Sequence, residues 1–167
     1  SVYKKIKTCY ISMIKIIGFV NIILAALLAG TSFGIWIGFN PMNYSPSTYV
    51  EQQQNLLRSL NTLMIILVFT ATLTTIVSAI LQRKNKKTFI TLLIAAGFFI
   101  GCILITRFGN VPIQNNMLTW ITNSLPANWA VLRADWWRFH KMRTITELIA
   151  LCLIVWTSIK NESTIVY

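Results

Sequence analysis

The sequence predicts an all-α integral membrane protein, a four-helix bundle threaded up-down-up-down, and three observations carry that prediction. Apolar residues make up 55% of the 167 residues and charged residues only 11%, against roughly 25% charged in soluble domains. The apolar residues fall into four long runs, each near the ~20 residues that cross a bilayer. The basic residues gather in short clusters between those runs, where they act as topology signals. The formal charge of +11 would otherwise suggest nucleic acid, but there is no basic face and no recognisable nucleic-acid module.

The chain reads as a single domain with spans at about 10–39, 57–82, 88–107 and 137–159. Lys4, Lys5 and Lys7 precede the first run, which is too long for a signal peptide and is therefore read as a retained span. Within it Ala26, Gly30, Gly34 and Gly38 recur every fourth residue. Such a ribbon lets a neighbouring helix approach closely, so Gly30 and Gly34 are expected at a helix–helix contact. Asn40-Pro41 through Ser45-Pro46 ends that helix, because proline removes a backbone donor and disfavours helical angles before it. Ser47 or Thr48 is expected to cap the next helix.

That second helix opens with Glu51, Gln52, Gln53 and Gln54 before turning apolar. Three adjacent glutamines point different ways and suit a solvated turn, whereas Gln54, Arg58 and Asn61 lie at helical spacing and form a polar strip entering the membrane. Gln82 to Lys87 is a compact basic loop, followed by an apolar run from Thr88 to Thr106. The positive-inside rule places this loop and both termini in the cytoplasm of a multi-pass cell-membrane protein, with the loops around 40–56 and 109–138 outside. Arg107, Arg133, Arg138, Lys141 and Arg143 go against that pattern. They are mixed with tryptophan, asparagine and the sole histidine, unlike the bare basic loop, and are therefore assigned to a site.

From Trp129 onward a helix would align Arg133, Trp136, Trp137, His140, Arg143 and Glu147 at spacings of three and four, giving one polar face that runs into the fourth span. Polar groups at membrane depth need partners and seldom face lipid. Trp120 and Trp129 fit an interfacial belt. A plainer reading has Arg143 and Glu147 neutralise each other at i,i+4, with His140 and the tryptophans as interfacial anchors. Cys9, Cys102 and Cys152 are an odd set without metal-type spacing, each within or beside an apolar segment, and are read as packing residues. No metal motif, phosphate loop or nucleophile elbow is present, so no metal site is expected.

Gly30 before an aromatic-rich helix, Gln52 to Asn61, Asn110-Val-Pro112, and Trp129 to Trp136 with a later Arg143 together resemble the anthrone-oxygenase-like membrane family, also described as a domain of unknown function. The likeness runs from about residue 25 to 157. It departs from the family's usual Asn-x-Pro-x-Asn in having Gln114 at the last place. The resemblance implies a four-helix membrane fold and oxidation of an anthrone to an anthraquinone without a known cofactor.

Such a reaction asks for a base, an oxyanion partner and a dry aromatic slot. By residue type, His140 is the expected base, with Arg133 and Arg143 stabilising a phenolate-like oxygen. Arg58, Asn61, Asn110, Gln114, Trp136, Trp137 and Glu147 are the expected substrate contacts. The expected partners are the lipid bilayer and a small planar hydrophobic substrate, with no nucleic acid and with homo-oligomerisation left open. The alternative function is a non-catalytic multi-pass protein whose polar strip binds a lipid, a quinone or a partner helix.

Overall fold

The computed structural model describes residues 2–122 and 124–162. Four long helical segments run through it, each long and apolar enough to cross a membrane. Helix α1 covers Val2–Gly38, a 3-10 turn Pro41–Asn43, α2 Pro46–Leu81 and α3 Lys86–Ile105. A π-helical turn, Thr106–Asn110, joins α3 to the short α4, Val111–Met117, and α5 spans Trp129–Glu162. Among the described residues the only β-pairing is an isolated bridge between Ile121 and Ser124.

Helix α1 ends where the Asn-Pro sequence requires, and the Asn40 side chain accepts from the Met42 N–H. The cap of α2 is Ser45 rather than Ser47 or Thr48. Pro46 occupies the first helical turn, where its missing donor costs nothing, and the Ser45 hydroxyl accepts from the Thr48 N–H at 3.3 Å. Helices α2 and α5 begin well before the apolar runs that mark the second and fourth predicted spans, at Pro46 and Trp129.

The region around Asn110-Val-Pro112 departs most from expectation. Read as an outer loop, it is instead a helical continuation of α3. Pro112 stands in the first turn of α4, directly after the π turn. A proline inside a regular α-helix clashes with the carbonyl four residues back, and the wider π register relieves that conflict locally. Gly109 lies in the same turn. A Cβ there would sit 2.7 Å from the Phe139 ring, so glycine is what lets α5 approach this turn.

Contacts between helices run in opposite order along each pair. The Tyr10 hydroxyl donates to the Leu81 carbonyl, while Asn21 meets Thr74 and Thr75. Cys102 meets Glu147, and Asn110 meets the Trp136 carbonyl. Ser32 meets His140, and Phe39 lies edge-on to Trp136. Thus α1 is antiparallel to α2 and to α5, and α3 is antiparallel to α5. The core divides into two apolar clusters. One, around Leu28, Met64, Phe99, Ala150 and Ile154, fills the half that holds the N-terminal part of α3 and the C-terminal part of α5. The other, around Tyr49, Leu57, Ile113, Met117, Trp136 and Trp137, fills the opposite half.

The predicted glycine contact is not made. Gly30 and Gly34 are exposed, and nothing lies within 4 Å of the Cβ position at either. The packing face of α1 carries Asn21, Ala25, Leu28, Ala29 and Ser32, all essentially inaccessible. Ala25 and Ala29, one residue before Ala26 and Gly30, provide the close approach. A four-residue period of small side chains defines a face of a helix, but a one-residue offset turns that face by about 100°, which is enough to aim it away from the bundle. Cys9 and Cys152 are exposed as well, leaving Cys102 as the buried thiol.

Candidate functional site

Between the two apolar clusters lies a polar layer, assembled one helical turn at a time. On α1, Ser32 follows Ala25, Leu28 and Ala29 along the packing face. On α3, Cys102 follows Phe99 at i+3 and Thr106 comes one turn later. On α5, His140, Arg143, Thr144 and Glu147 share one face through spacings of three and four. Ser32, His140, Thr144 and Glu147 are fully inaccessible, and Cys102 nearly so.

His140 makes four close contacts. Its ring stacks on Trp136 and Trp137 at centroid distances of 5.2 and 5.5 Å, with interplanar angles of 8° and 12°. Nε2 lies 3.2 Å from the Ser32 carbonyl, and Nδ1 receives the Arg143 guanidinium at 3.4 Å. Arginine only donates and a carbonyl only accepts. The neutral ring therefore carries its proton on Nε2 and offers its lone pair to Arg143.

Glu147 presents a different picture. One carboxyl oxygen accepts from the Cys102 thiol at 3.1 Å. The other has no hydrogen-bond partner, and the neighbouring Ser32 hydroxyl makes none of good geometry either. The Arg143–Glu147 ion pair of the plainer reading is not made within 4 Å. Among the described residues the one pair within 4 Å is the exposed Arg138–Asp135 contact at 3.3 Å. A carboxyl group buried at membrane depth with a free oxygen is costly, and such groups mark functional positions.

Arg143 and Glu147 line a cleft with Cys102, Thr106, Gln114 and Trp136 on one side. Leu57, Leu60, Asn61 and Met64 of α2 form the other wall. The cleft is tightly packed, with a free volume of only about 50 Å³. Asn61 and Ile65 are exposed and mark its edge on α2.

Of the residues expected at the site, Asn61, Gln114, Trp136, Arg143 and Glu147 line this cleft, and His140 stands directly behind Arg143. The others go elsewhere. Arg58 is exposed and lies outside the lining, because it sits on the outward side of α2 from Leu57. Arg133 donates to the Pro41 and Tyr44 carbonyls at 3.2 and 3.5 Å, with its guanidinium 4.5 Å from the Trp129 ring, and so pins the α1–α2 link to α5. Asn110 donates to the Trp136 carbonyl at 3.2 Å, leaving its own oxygen unpartnered. Trp137 is buried behind His140 and does not reach the cleft. Trp120, expected at an interface, is in the core, and Gln54 donates to the carbonyls of Met117, the last residue of α4, and of Trp120 just beyond it.

Buried groups that the sequence does not single out include Ser32, Gln53 and Cys102. Gln53 is 1% exposed and neither end of its amide has a partner. Its spacing of four from Tyr49 and from Leu57 was the available signal, masked by the run of glutamines. Cys102 packs on the stripe that continues from Leu92, Ala95 and Phe99, as expected, but its thiol also donates to Glu147.

Fold and site together define a multi-pass membrane protein with a layer of polar and ionisable side chains buried across its bundle. Among the described residues no group of three His, Cys, Asp or Glu side chains is placed to hold a metal ion. The chain matches the family model described as anthrone oxygenase over residues 53–153, and it belongs to that family. The matched region contains all of the cleft except what α1 contributes, including Cys102, Gln114, Arg143 and Glu147. No curated protein and no solved structure matches the chain.

Proposed function

We propose that this protein is a membrane-embedded oxygenase acting on a planar phenolic substrate of the anthrone type, with the α2–α3–α5 cleft as its active site. The observation that carries this reading is the unpartnered carboxyl oxygen of Glu147 beside Arg143, in a cleft walled by Trp136 and the aliphatic side chains of α2. An anthrone needs a base for its methylene proton and a cation for the oxyanion that deprotonation creates.

In this reading Glu147 takes the proton and Arg143 stabilises the phenolate-like oxygen. His140, which does not line the cleft, positions Arg143 by occupying its Nε and Nη2 donors. The carbanion passes one electron to dioxygen, and the resulting radical pair combines to a carbon-bound peroxide. Protonation of the peroxide and loss of the remaining C–H proton with O–O cleavage then give a carbonyl and water. The balance is one anthrone and one dioxygen to one anthraquinone and one water. The apolar walls keep bulk water from the anion. A cleft with so little free room must open along its Asn61–Ile65 edge to admit a three-ring molecule, since pockets for ligands of that size run to ~300 Å³ or more.

Purified protein in detergent, given an anthrone under air, is expected to consume one oxygen per quinone formed, well above the spontaneous rate. A rate equal to that of the protein-free solution would end the enzymatic reading.

We further propose that the 82–85 link and the two ends of the chain are cytoplasmic, and that the α4–α5 link is outside, on the strength of the basic cluster at 83–87. Single cysteines at Asn85 and Ser124, introduced after removing the native ones, are expected to label from opposite faces with an impermeant reagent. Labelling of both from one face would overturn this arrangement.

A further inference from the structure

At the other end of the bundle a second opening of about 520 Å³ lies between α1, α2, α3 and α5. It shares no residue with the cleft described above and borders the apolar cluster that holds Leu92 and Ile154. Ile11, Ile14, Phe19, Ile22, Leu92 and Ile154 give it apolar walls, and Lys15 of α1 and Lys84 of the α2–α3 link are exposed beside it. Asn21 also lines it. That side chain is fully buried, its oxygen accepts from the Thr74 and Thr75 hydroxyls at 3.2 and 2.8 Å, and its NH₂ group has no partner.

We infer that this opening holds one anionic glycerophospholipid of the surrounding bilayer. Three features fit that ligand and are not used by the oxygenase reading. The volume falls in the range of built ligand sites, and its walls suit an acyl chain. Two lysines at the mouth match an anionic phosphate headgroup, as basic pockets between membrane helices commonly do. Asn21 lies six residues along α1 from Lys15, about 9 Å deeper by helical rise. A glycerol ester carbonyl lies below its phosphate, and so supplies the acceptor that the buried amide lacks. An isolated phosphate ion would leave both the walls and Asn21 unused.

The test is native mass spectrometry of the delipidated full chain, titrated with dioleoyl phosphatidylglycerol or dioleoyl phosphatidylcholine. One phosphatidylglycerol is expected to bind, about tenfold more tightly than phosphatidylcholine. The Lys15→Gln/Lys84→Gln double variant, altered only at exposed positions, should bring the two lipids to similar affinity. Gly18→Phe should remove the bound lipid, because Gly18 lines the opening and has nothing within 4 Å of its Cβ position. Equal binding of both lipids by the unaltered chain would overturn the inference, as would an undiminished preference in the lysine variant. Displacement of the lipid by millimolar inorganic phosphate would mark a site for a soluble anion and would equally overturn it.

Discussion

Glu147→Gln is expected to lower turnover of an anthrone by a factor of ~10²–10⁴, the usual worth of a positioned base, while the folded bundle survives. Glutamine has nearly the same shape, and its carbonyl oxygen still accepts from the Cys102 thiol, so the interhelical contact at 3.1 Å can persist. The comparison that gives this variant its meaning is His140→Ala. If His140 acts by holding Arg143, its loss should cost only about one charged hydrogen bond, roughly ten- to a hundredfold in rate. It should also cost stability, because a ring buried against Trp136 and Trp137 leaves a cavity. The readouts are quinone formation and thermal melting in detergent. Should His140→Ala abolish turnover while Glu147→Gln retains it, the histidine is the base and the roles assigned in the cleft are reversed.

Gly109→Ala is expected to destabilise the protein by about 1–3 kcal/mol, the typical cost of overpacking. The added methyl group would stand 2.7 Å from the body of the Phe139 ring, not from the tip of a flexible chain. Either α5 withdraws from the π turn or Phe139 leaves its position. Withdrawal also loosens the Asn110–Trp136 hydrogen bond and widens the cleft of which Trp136 is one wall. Gly97→Ala on the same helix is the control. Nothing lies within 4 Å of a Cβ there, and alanine favours the helix by up to ~1 kcal/mol over glycine. Gly97→Ala should therefore match or exceed the parent melting temperature while Gly109→Ala falls below it. Equal melting of the two variants would mean that the close approach at Gly109 carries no weight.

The two variants probe different links in one chain of causes. Gly109 and the π turn set how closely α3 and α5 approach. That approach sets the distance from Cys102 to Glu147 and the placement of Trp136. The cleft chemistry depends on both. Loss of activity in Gly109→Ala with Glu147 intact would therefore report on positioning, whereas Glu147→Gln reports on proton transfer.

Sequence alone determined the class of this protein. Four apolar runs separated by basic and proline-containing links leave little choice, because a backbone in lipid must satisfy its own hydrogen bonds and helices do so locally. The polar face of α5 was equally legible, since Arg143, His140 and Glu147 recur at helical spacing whatever they pack against, and the family resemblance rested on the same stretch. Tertiary structure decided everything that depends on azimuth and on neighbours. A period of four names a stripe without saying which way it faces, so Gly30 and Gly34 point outward while Ala25 and Ala29 make the contact. Charge at helical spacing could not say which cation reaches the cleft, and it is Arg143, while Arg133 is spent on the carbonyls of Pro41 and Tyr44 and Arg58 faces out. Nor could a lone cysteine on α3 or a serine on α1 be tied to Glu147, because residues 32, 102 and 147 meet only once three helices have packed at one depth.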